Sequence, residues 1–356
     1  MRDREPRAVA RLDDPRLAPY VPDAPAAAAA RGVGRVARLD ANESPAGPFP
    51  GVADALAEVL ASANRYPDRG LALVEALAAR HGVPPEAILV GNGGDALIAN
   101  LCSAYLDAGD EAVMAAPSFV SYAIDALRVG GRPVEVPVRA DGCLDLPAMA
   151  AAVTDRTRIA FVCNPNNPTG GQLPDEDVRR FLDEVPADVL IVIDEAYVEY
   201  VDDRADAGDP IALDRPNVCR LRTFSKLYGL AGLRVGYLVG PPASIMPVRR
   251  MRNWFDVSDA AHVAATVSLG QPDEVARRRA ANAEGRRELE GILRAHGLEP
   301  LPSAASFLLA PVDDPAPLAA RLAERGVLTR VVGAGHLRIA VGDADDRAQL
   351  AAALAG

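Results

Sequence analysis

Four cysteines and four histidines among 356 residues leave little material for metal or thiol chemistry. Cys102, Cys143, Cys163 and Cys219 are widely scattered and lack metal-ligand spacing, so reduced, mostly buried thiols are expected. His81, His262, His296 and His336 form no cluster along the chain, which argues against a metal centre and against a serine–histidine triad. Positive charge is also in deficit: 38 Lys and Arg stand against 49 Asp and Glu, a formal charge of -11. That balance argues against nucleic acid or an anionic membrane as a partner. No run approaches the roughly 20 apolar residues of a spanning helix. No N-terminal stretch joins basic residues to an apolar core of signal-peptide length, so the expected location is the cytoplasm. What the chain does have is length and apolar material: its 49% hydrophobic content suffices for a large core and two domains.

Residues 1 to about 40 are Pro- and Arg-rich and weakly periodic, as an arm lying on a domain would be. A turn-forming cluster at 39–45 precedes a helix expected around 52–63. From Ile88 onward, short apolar or β-branched runs alternate with helical segments. This is the signature of an α/β fold whose mostly parallel sheet is covered on both faces. Past Gly240 come helical connections to about residue 271 and a long charged helix at 272–297. A smaller α/β unit follows, with strands expected at 307–310, 327–331 and 337–341 and a terminal helix from about residue 345. The expected organisation is an arm at 1–40, a large domain at 41–245, and an interdomain helix with a small domain at 246–356.

Several loops carry more polarity than folding requires. Gly91-Asn92-Gly93-Gly94-Asp95 joins a strand to a helix, where backbone N–H groups and the helix N-terminus suit an anion. A tight βα turn without a ligand is the alternative there. Phe119, at a strand's carboxyl end, could stack on a flat ligand or belong to the core. Asn164-Pro165-Asn166-Asn167-Pro168-Thr169-Gly170 follows an apolar strand in the position where open α/β sheets bind ligands. Asp194 ends the apolar run 189–193, and a carboxylate buried there needs a partner. A protonated ring nitrogen would serve, as would a helix cap or an ion pair. In LRTFSKLYGLAGLRVGY (221–237), Lys226 follows Ser225, with Arg234 eight residues on. A lysine amine attacks an aldehyde once its pKa is lowered, while a serine hydroxyl and a guanidinium suit a phosphate. The set describes a covalent anchor for a phosphorylated aldehyde.

The ordered motifs LDANESPAGP, RYPD, GNGGD, APSF, NPNNPTG, IDEAY, TFSKLYGLAGLRVGY and LRIAVG, spread from about residue 39 to 342, resemble the histidinol-phosphate aminotransferase family. That family lies within the pyridoxal 5′-phosphate enzymes of the aspartate-aminotransferase fold (fold type I). The resemblance implies a three-layer αβα large domain and a smaller α/β C-terminal domain. It makes Lys226 the lysine that carries the cofactor as a Schiff base, and Asp194 the carboxylate that keeps its ring nitrogen protonated. Tyr197 and Asn167 would hydrogen-bond the ring's phenolic oxygen, and Phe119 would stack on its face. The backbone at Gly94 and Asp95, with Ser225 and Arg234, would form the phosphate cup. Tyr66 would reach the phosphate held by a neighbouring subunit, giving a homodimer with a shared active site. Arg338 corresponds to the arginine that grips a substrate anion, with Arg330, Tyr20 and Asn42 as further substrate-side positions.

Departures from the family's pattern concentrate away from the cofactor. Asp95 is followed by Ala96 rather than an acid, and Ser44 replaces an asparagine. Trp254, Asp256 and Ser258 stand where proline, asparagine and asparagine are usual, His262 replaces a glutamine, and Ser306 replaces an asparagine. The resemblance therefore implies an aminotransferase working between an amino donor and a 2-oxo acid by a ping-pong route, with histidinol phosphate and 2-oxoglutarate as the leading pair. An aromatic or other amino acid is the rival donor, and Asp256 motivates a cationic one. A decarboxylase or lyase on the same fold is a second class. A non-catalytic cofactor-fold protein is a third, disfavoured because Lys226, Asp194, Tyr197 and Asn167 are all present.

Overall fold

The computed structural model describes residues 14–17, 34–68, 70–201 and 215–355. Strand β1 (Ala37–Arg38) precedes helices α1 (Val52–Leu60) and α2 (Leu71–His81). Then come β2 (Ile88–Gly91), α3 (Gly93–Tyr105), β3 (Glu111–Ala116), α4 (Ser121–Arg128), β4 (Arg132–Pro137) and α5 (Leu146–Ala151). They are followed by β5 (Thr157–Cys163), α6 (Asp175–Glu184), β6 (Leu190–Asp194), β7 (Val218–Thr223) and β8 (Gly236–Val239). Helices α7 (Pro242–Met251), α8 (Asp259–Leu269) and α9 (Pro272–Ala295) lead to β9 (Phe307–Pro311) and α10 (Pro315–Glu324). The chain then runs through β10 (Val327–Leu328), β11 (Arg330–Val332), β12 (His336–Ala340) and α11 (Ala344–Ala355).

Seven strands form the large sheet in the order β2-β8-β7-β6-β5-β3-β4. β8 is antiparallel to both its neighbours, and the other pairs are parallel. The central strands show why their apolar runs lack polar alternation. Ile159, Phe161, Leu190 and Val192 pack with Leu97 and Leu101 of α3, Tyr122 of α4 and Ile245 of α7. Their neighbours Ala160, Val162, Ile191 and Ile193 pack on the opposite face with Met149 of α5 and Phe181 of α6. Since successive strand residues point to opposite faces, a strand covered on both sides must be apolar throughout. The same alternation sends Asp194, two residues past Val192, toward the α4 side.

A third cluster joins α1, α2 and α8 to β2 and β8 through Val52, Leu73, Leu77, Ala261, Ala265, Ile88 and Val239. The C-terminal unit has its own core, in which Leu289 and Leu293 of α9 and Leu350 of α11 meet Leu308, Leu337 and Ile339. Its sheet runs β11-β12-β9 and is antiparallel. Local chemistry marks some helix starts: the Asp145 carboxylate accepts from Ala148 N at 3.1 Å at the start of α5, and Ser258 Oγ accepts from Ala261 N at 3.2 Å at the start of α8.

One detail differs from expectation. The single strand expected at 327–331 is two strands, because the chain changes sheets at buried Thr329: β10 pairs with β1, and β11 with β12. Residues 37–38, at the end of the expected arm, are that partner of β10, and Ala37 and Leu39 are buried in the C-terminal core. Helix α7 is continuous across residue 245, with Pro247 inside it. Tyr20 and most of the arm lie outside the described residues.

Candidate active site

The carboxyl ends of β5, β6 and β7 and the start of α3 bring most of the flagged residues to one edge of the large sheet. Asp194 is 3% exposed. Its Oδ2 accepts from the Tyr122 hydroxyl at 2.5 Å and its Oδ1 from Ala196 N–H at 2.9 Å. Burial raises its pKa to about 6 against the pull of those hydrogen bonds, and the charges that add to the rise, Glu195 and Asp95, share its sign. A carboxylate in that position is completed by a proton-bearing cation. Tyr122 itself stacks on Phe161 with centroids 4.5 Å apart and meets Phe119 edge-on at 5.7 Å. Tyr122 was not legible from sequence. The one available signal is its place in the first turn of α4, three residues beyond Phe119.

Lys226 stands three residues beyond β7. Its ammonium is 3.4 Å from the Asn42 carbonyl oxygen and 5.7 Å from the Tyr197 ring centroid. Tyr197 is buried, and its hydroxyl accepts from Asn42 Nδ2 at 3.0 Å. Asn42 adopts a left-handed φ of 53°, which asparagine tolerates better than most residues. Its Oδ1 is buried without a hydrogen-bond partner, an acceptor waiting for a donor.

On the other side of the sheet edge, α3 begins with no side-chain cap, so its first-turn N–H groups are left for a ligand. Arg234 lies across that start with its Nη2 3.0 Å from Asp95 Oδ2. A Cβ at Gly93, whose φ is 76°, would come within 2.6 Å of Arg234 Nη2, so glycine is what admits the guanidinium. Ser225 is 7% exposed, and its Oγ accepts from Thr223 Oγ1 at 2.9 Å. An uncapped helix N-terminus, a guanidinium and a hydroxyl make a cradle for a phosphate. The Asp95 side chain is engaged by Arg234 and by the Ser121 hydroxyl, which leaves its backbone as the cradle element.

From the small sheet, Arg338 donates through Nη1 to Asn167 Oδ1 at 2.7 Å and through Nη2 to the Asp40 carbonyl at 2.6 Å. Its guanidinium lies 5.5 Å from the Phe307 ring centroid. Arg330 is its register partner on β11, so the two arginines share one face of the sheet. Tyr66 is not joined to this group within the chain: it is 79% exposed and stacks on Phe255 at 4.6 Å. Asp256 does not offer a free negative charge. It is 10% exposed at the side chain, and Arg252 holds it at 2.8 Å. The motive for a cationic substrate therefore falls away.

The residues present fit pyridoxal 5′-phosphate. A buried carboxylate short of a cation matches the ring nitrogen, the glycine-opened cradle matches the phosphate, and Lys226, next to Ser225 of that cradle, lies near Tyr197 and Asn42. Among the described residues, no helix is long and apolar enough to cross a membrane.

Comparison with known proteins agrees with this geometry. The family model for aminotransferase class I and II matches residues 35–354. An aromatic amino acid aminotransferase of Rhodococcus jostii is 46% identical over 309 residues, 86% of each chain. A histidinol-phosphate aminotransferase of Moorella thermoacetica is 42% identical over 320 residues, 88% of this chain and 83% of the relative. Among solved structures, histidinol-phosphate aminotransferase from Sinorhizobium meliloti, in complex with pyridoxal 5′-phosphate, superposes with a TM-score of 0.90 at 31% identity, covering 99% of this chain and 97% of the other. A backbone that superposes along nearly its whole length, a site whose groups fit the cofactor and a family match over residues 35–354 have one reading: this chain belongs to the class I and II aminotransferases, with the fold of its pyridoxal-phosphate-bound relative.

Proposed function

We propose that this protein is a homodimeric aminotransferase that moves the amino group of an aromatic amino acid to a 2-oxo acid. The observation that carries the reading is the pair Arg330 and Arg338, register partners on one face of the small sheet, with Arg338 reaching Asn167 beside the cofactor residues. Two guanidiniums on one face suit the planar, bidentate recognition of a substrate carboxylate. The aromatic choice follows the name of the Rhodococcus relative.

Pyridoxal phosphate, when bound, supplies the electron sink that lets the substrate Cα–H bond break. This chain's residues do the rest. Lys226 would hold the cofactor covalently, and its amine, once freed, would be the group placed to take and return the substrate's Cα proton. Asp194, steadied by Tyr122 and Ala196 N–H, would keep the ring nitrogen protonated. Tyr197 and Asn167 would hold the phenolic oxygen, with Asn42 orienting the Tyr197 hydroxyl. Gly94, the Asp95 backbone, Ser225 and Arg234 seat the phosphate, with Tyr66 contributed by the neighbouring subunit. Arg338, with Arg330, fixes the substrate anion, and this selects which bond stands ready to break.

Single half-reactions with a panel of amino donors, followed by cofactor absorbance, test the substrate. Tyrosine and phenylalanine are expected to convert the cofactor to its amine form fastest. A response confined to histidinol phosphate would overturn the aromatic choice in favour of the second reading, which the Moorella relative supports. Carbon dioxide or ammonia release without the amine form would instead favour a lyase.

A further inference from the structure

Asp68, Asp259 and His262 come from parts of the chain too far apart for metal-ligand spacing to be read in sequence, since Asp68 and Asp259 are 191 positions apart. In the fold, each offers a ligand atom, and these atoms all lie within 4.8 Å of one another. The Asp259 Oδ1 to His262 Nδ1 distance is 3.9 Å. Ligand atoms on a small divalent cation stand roughly 3–3.5 Å apart, so the group closes on such an ion by side-chain adjustments of about an ångström.

The independent observation is His262. It is 4% exposed, yet both ring nitrogens lack a hydrogen-bond partner. Leaving such groups unsatisfied in the interior costs free energy, and burying them calls for a partner that the protein does not provide. The ring is held in place by Gly70, whose φ is 65° and whose absent Cβ would sit 2.4 Å from His262 Cδ2. The two carboxylates are oriented as well: Asp68 Oδ1 accepts from Gly70 N at 2.8 Å, and Asp259 Oδ1 from Asp68 N at 3.1 Å. The neighbouring cation Arg252 is committed to Asp256 and does not fill the space.

We propose that Asp68, Asp259 and His262 bind a divalent transition-metal cation that pins the loop carrying Tyr66 to the start of α8. One imidazole and two carboxylates suit a borderline cation such as Zn2+ better than Mg2+ or Ca2+, which favour oxygen alone. The exposed side of Asp68 leaves room for water to complete the coordination. The ion would hold no reacting atom. It would act by fixing the backbone from Tyr66 to Asp68, and so the Tyr66–Phe255 stack, in one arrangement.

Holoenzyme without an affinity tag, freed of metal by chelator dialysis, is titrated with Zn2+ by calorimetry and by thermal unfolding. One saturable site per chain is expected, with a Tm that rises with the logarithm of free Zn2+. His262→Gln, which restores the family's usual glutamine, and Asp68→Asn are each expected to weaken that site about tenfold or more. Asp68 is exposed, so its variant reads the site even where the histidine variant folds poorly. Absence of saturable binding, or affinity unchanged in Asp68→Asn, overturns the proposal. Neither result bears on the aminotransferase reading, because the half-reaction assay is read separately.

Discussion

Asp194 and Glu199 are both buried carboxylates with raised pKa values, and they differ in what answers them. Asp194 has Tyr122 and Ala196 N–H on its two oxygens and, in the proposed function, the cofactor's ring nitrogen to complete it. Asp194→Asn is expected to lower kcat/KM by about 10²–10³-fold, the usual cost of losing one preorganised electrostatic group. The absorbance of the lysine-bound cofactor should survive, and its loss would count against the assignment. Glu199 is 2% exposed, burial pushes it to about 7, and its Oε2 lacks a hydrogen-bond partner. A folded-state pKa above the ordinary 4.5 stabilises the fold fully at low pH, and that contribution is lost as pH rises through about 7. Glu199→Gln cannot lose it. The variant should match wild type near pH 4 and become more stable as pH passes 7, by up to about 3 kcal/mol. Denaturant midpoints measured across that range check this, and parallel profiles would refute it. Asp194 was legible in sequence because an acid ending an apolar run is conspicuous. Tyr122, a tyrosine in an ordinary amphipathic helix, carries no such mark until the sheet places it opposite.

Strand β7 is the element whose sequence is hardest to explain in isolation. Arg220 and Arg222 alternate with Cys219 and Leu221, yet all are buried. Parallel pairing with β6 sets Asp194 beside Leu221 and so brings Glu195 between the two arginines, at 2.9 Å from Arg220 and 2.7 Å from Arg222. Burial alone would raise Glu195, and the two guanidiniums outweigh it, holding it at about 2. Its contribution to stability is therefore present above pH 4.5 and lost as pH falls through about 2. Glu195→Gln leaves two buried cations without their anion and should destabilise the fold by about 3–5 kcal/mol at neutral pH, read by chemical denaturation. A change under 1 kcal/mol would mean that water reaches the cluster. The register that makes this triad is a property of two strands 25 residues apart, which is why the polar-looking VCRLRT offers no clue on its own. The βα turn at Gly93 was legible for the opposite reason: its purpose is local backbone geometry, and the glycines state it directly.

At the scale of the molecule, the exposed side chains of Leu60, Tyr66, Leu71 and Trp254 are 61–89% accessible, an unusual set for an acidic chain. Isolated exposed apolar residues need no explanation, but Tyr66 stacked on Phe255 beside Trp254 is a rigid aromatic group on the surface. If Tyr66 completes a neighbour's phosphate cradle, complementation between damaged chains follows. Lys226→Ala and Tyr66→Ala chains, each nearly inactive as homodimers, should regain activity when mixed and reassembled, since one of the two sites then draws its lysine and its tyrosine from intact sources. Mixed preparations no more active than their parents would show that Tyr66 serves its own chain or none. The overall architecture was legible from the alternation of apolar runs with helices. The pairing of residues 37–38 with β10 was not, because a two-residue strand leaves almost no pattern.

Arg338 is engaged at both Nη atoms before any substrate arrives, by Asn167 and by the Asp40 carbonyl. If Arg338 takes the substrate anion as proposed, the chain carries its own competitor for it. An incoming carboxylate gains only the difference between its charge-assisted bonds and those it displaces, so weak or misplaced anions are turned away without any steric gate.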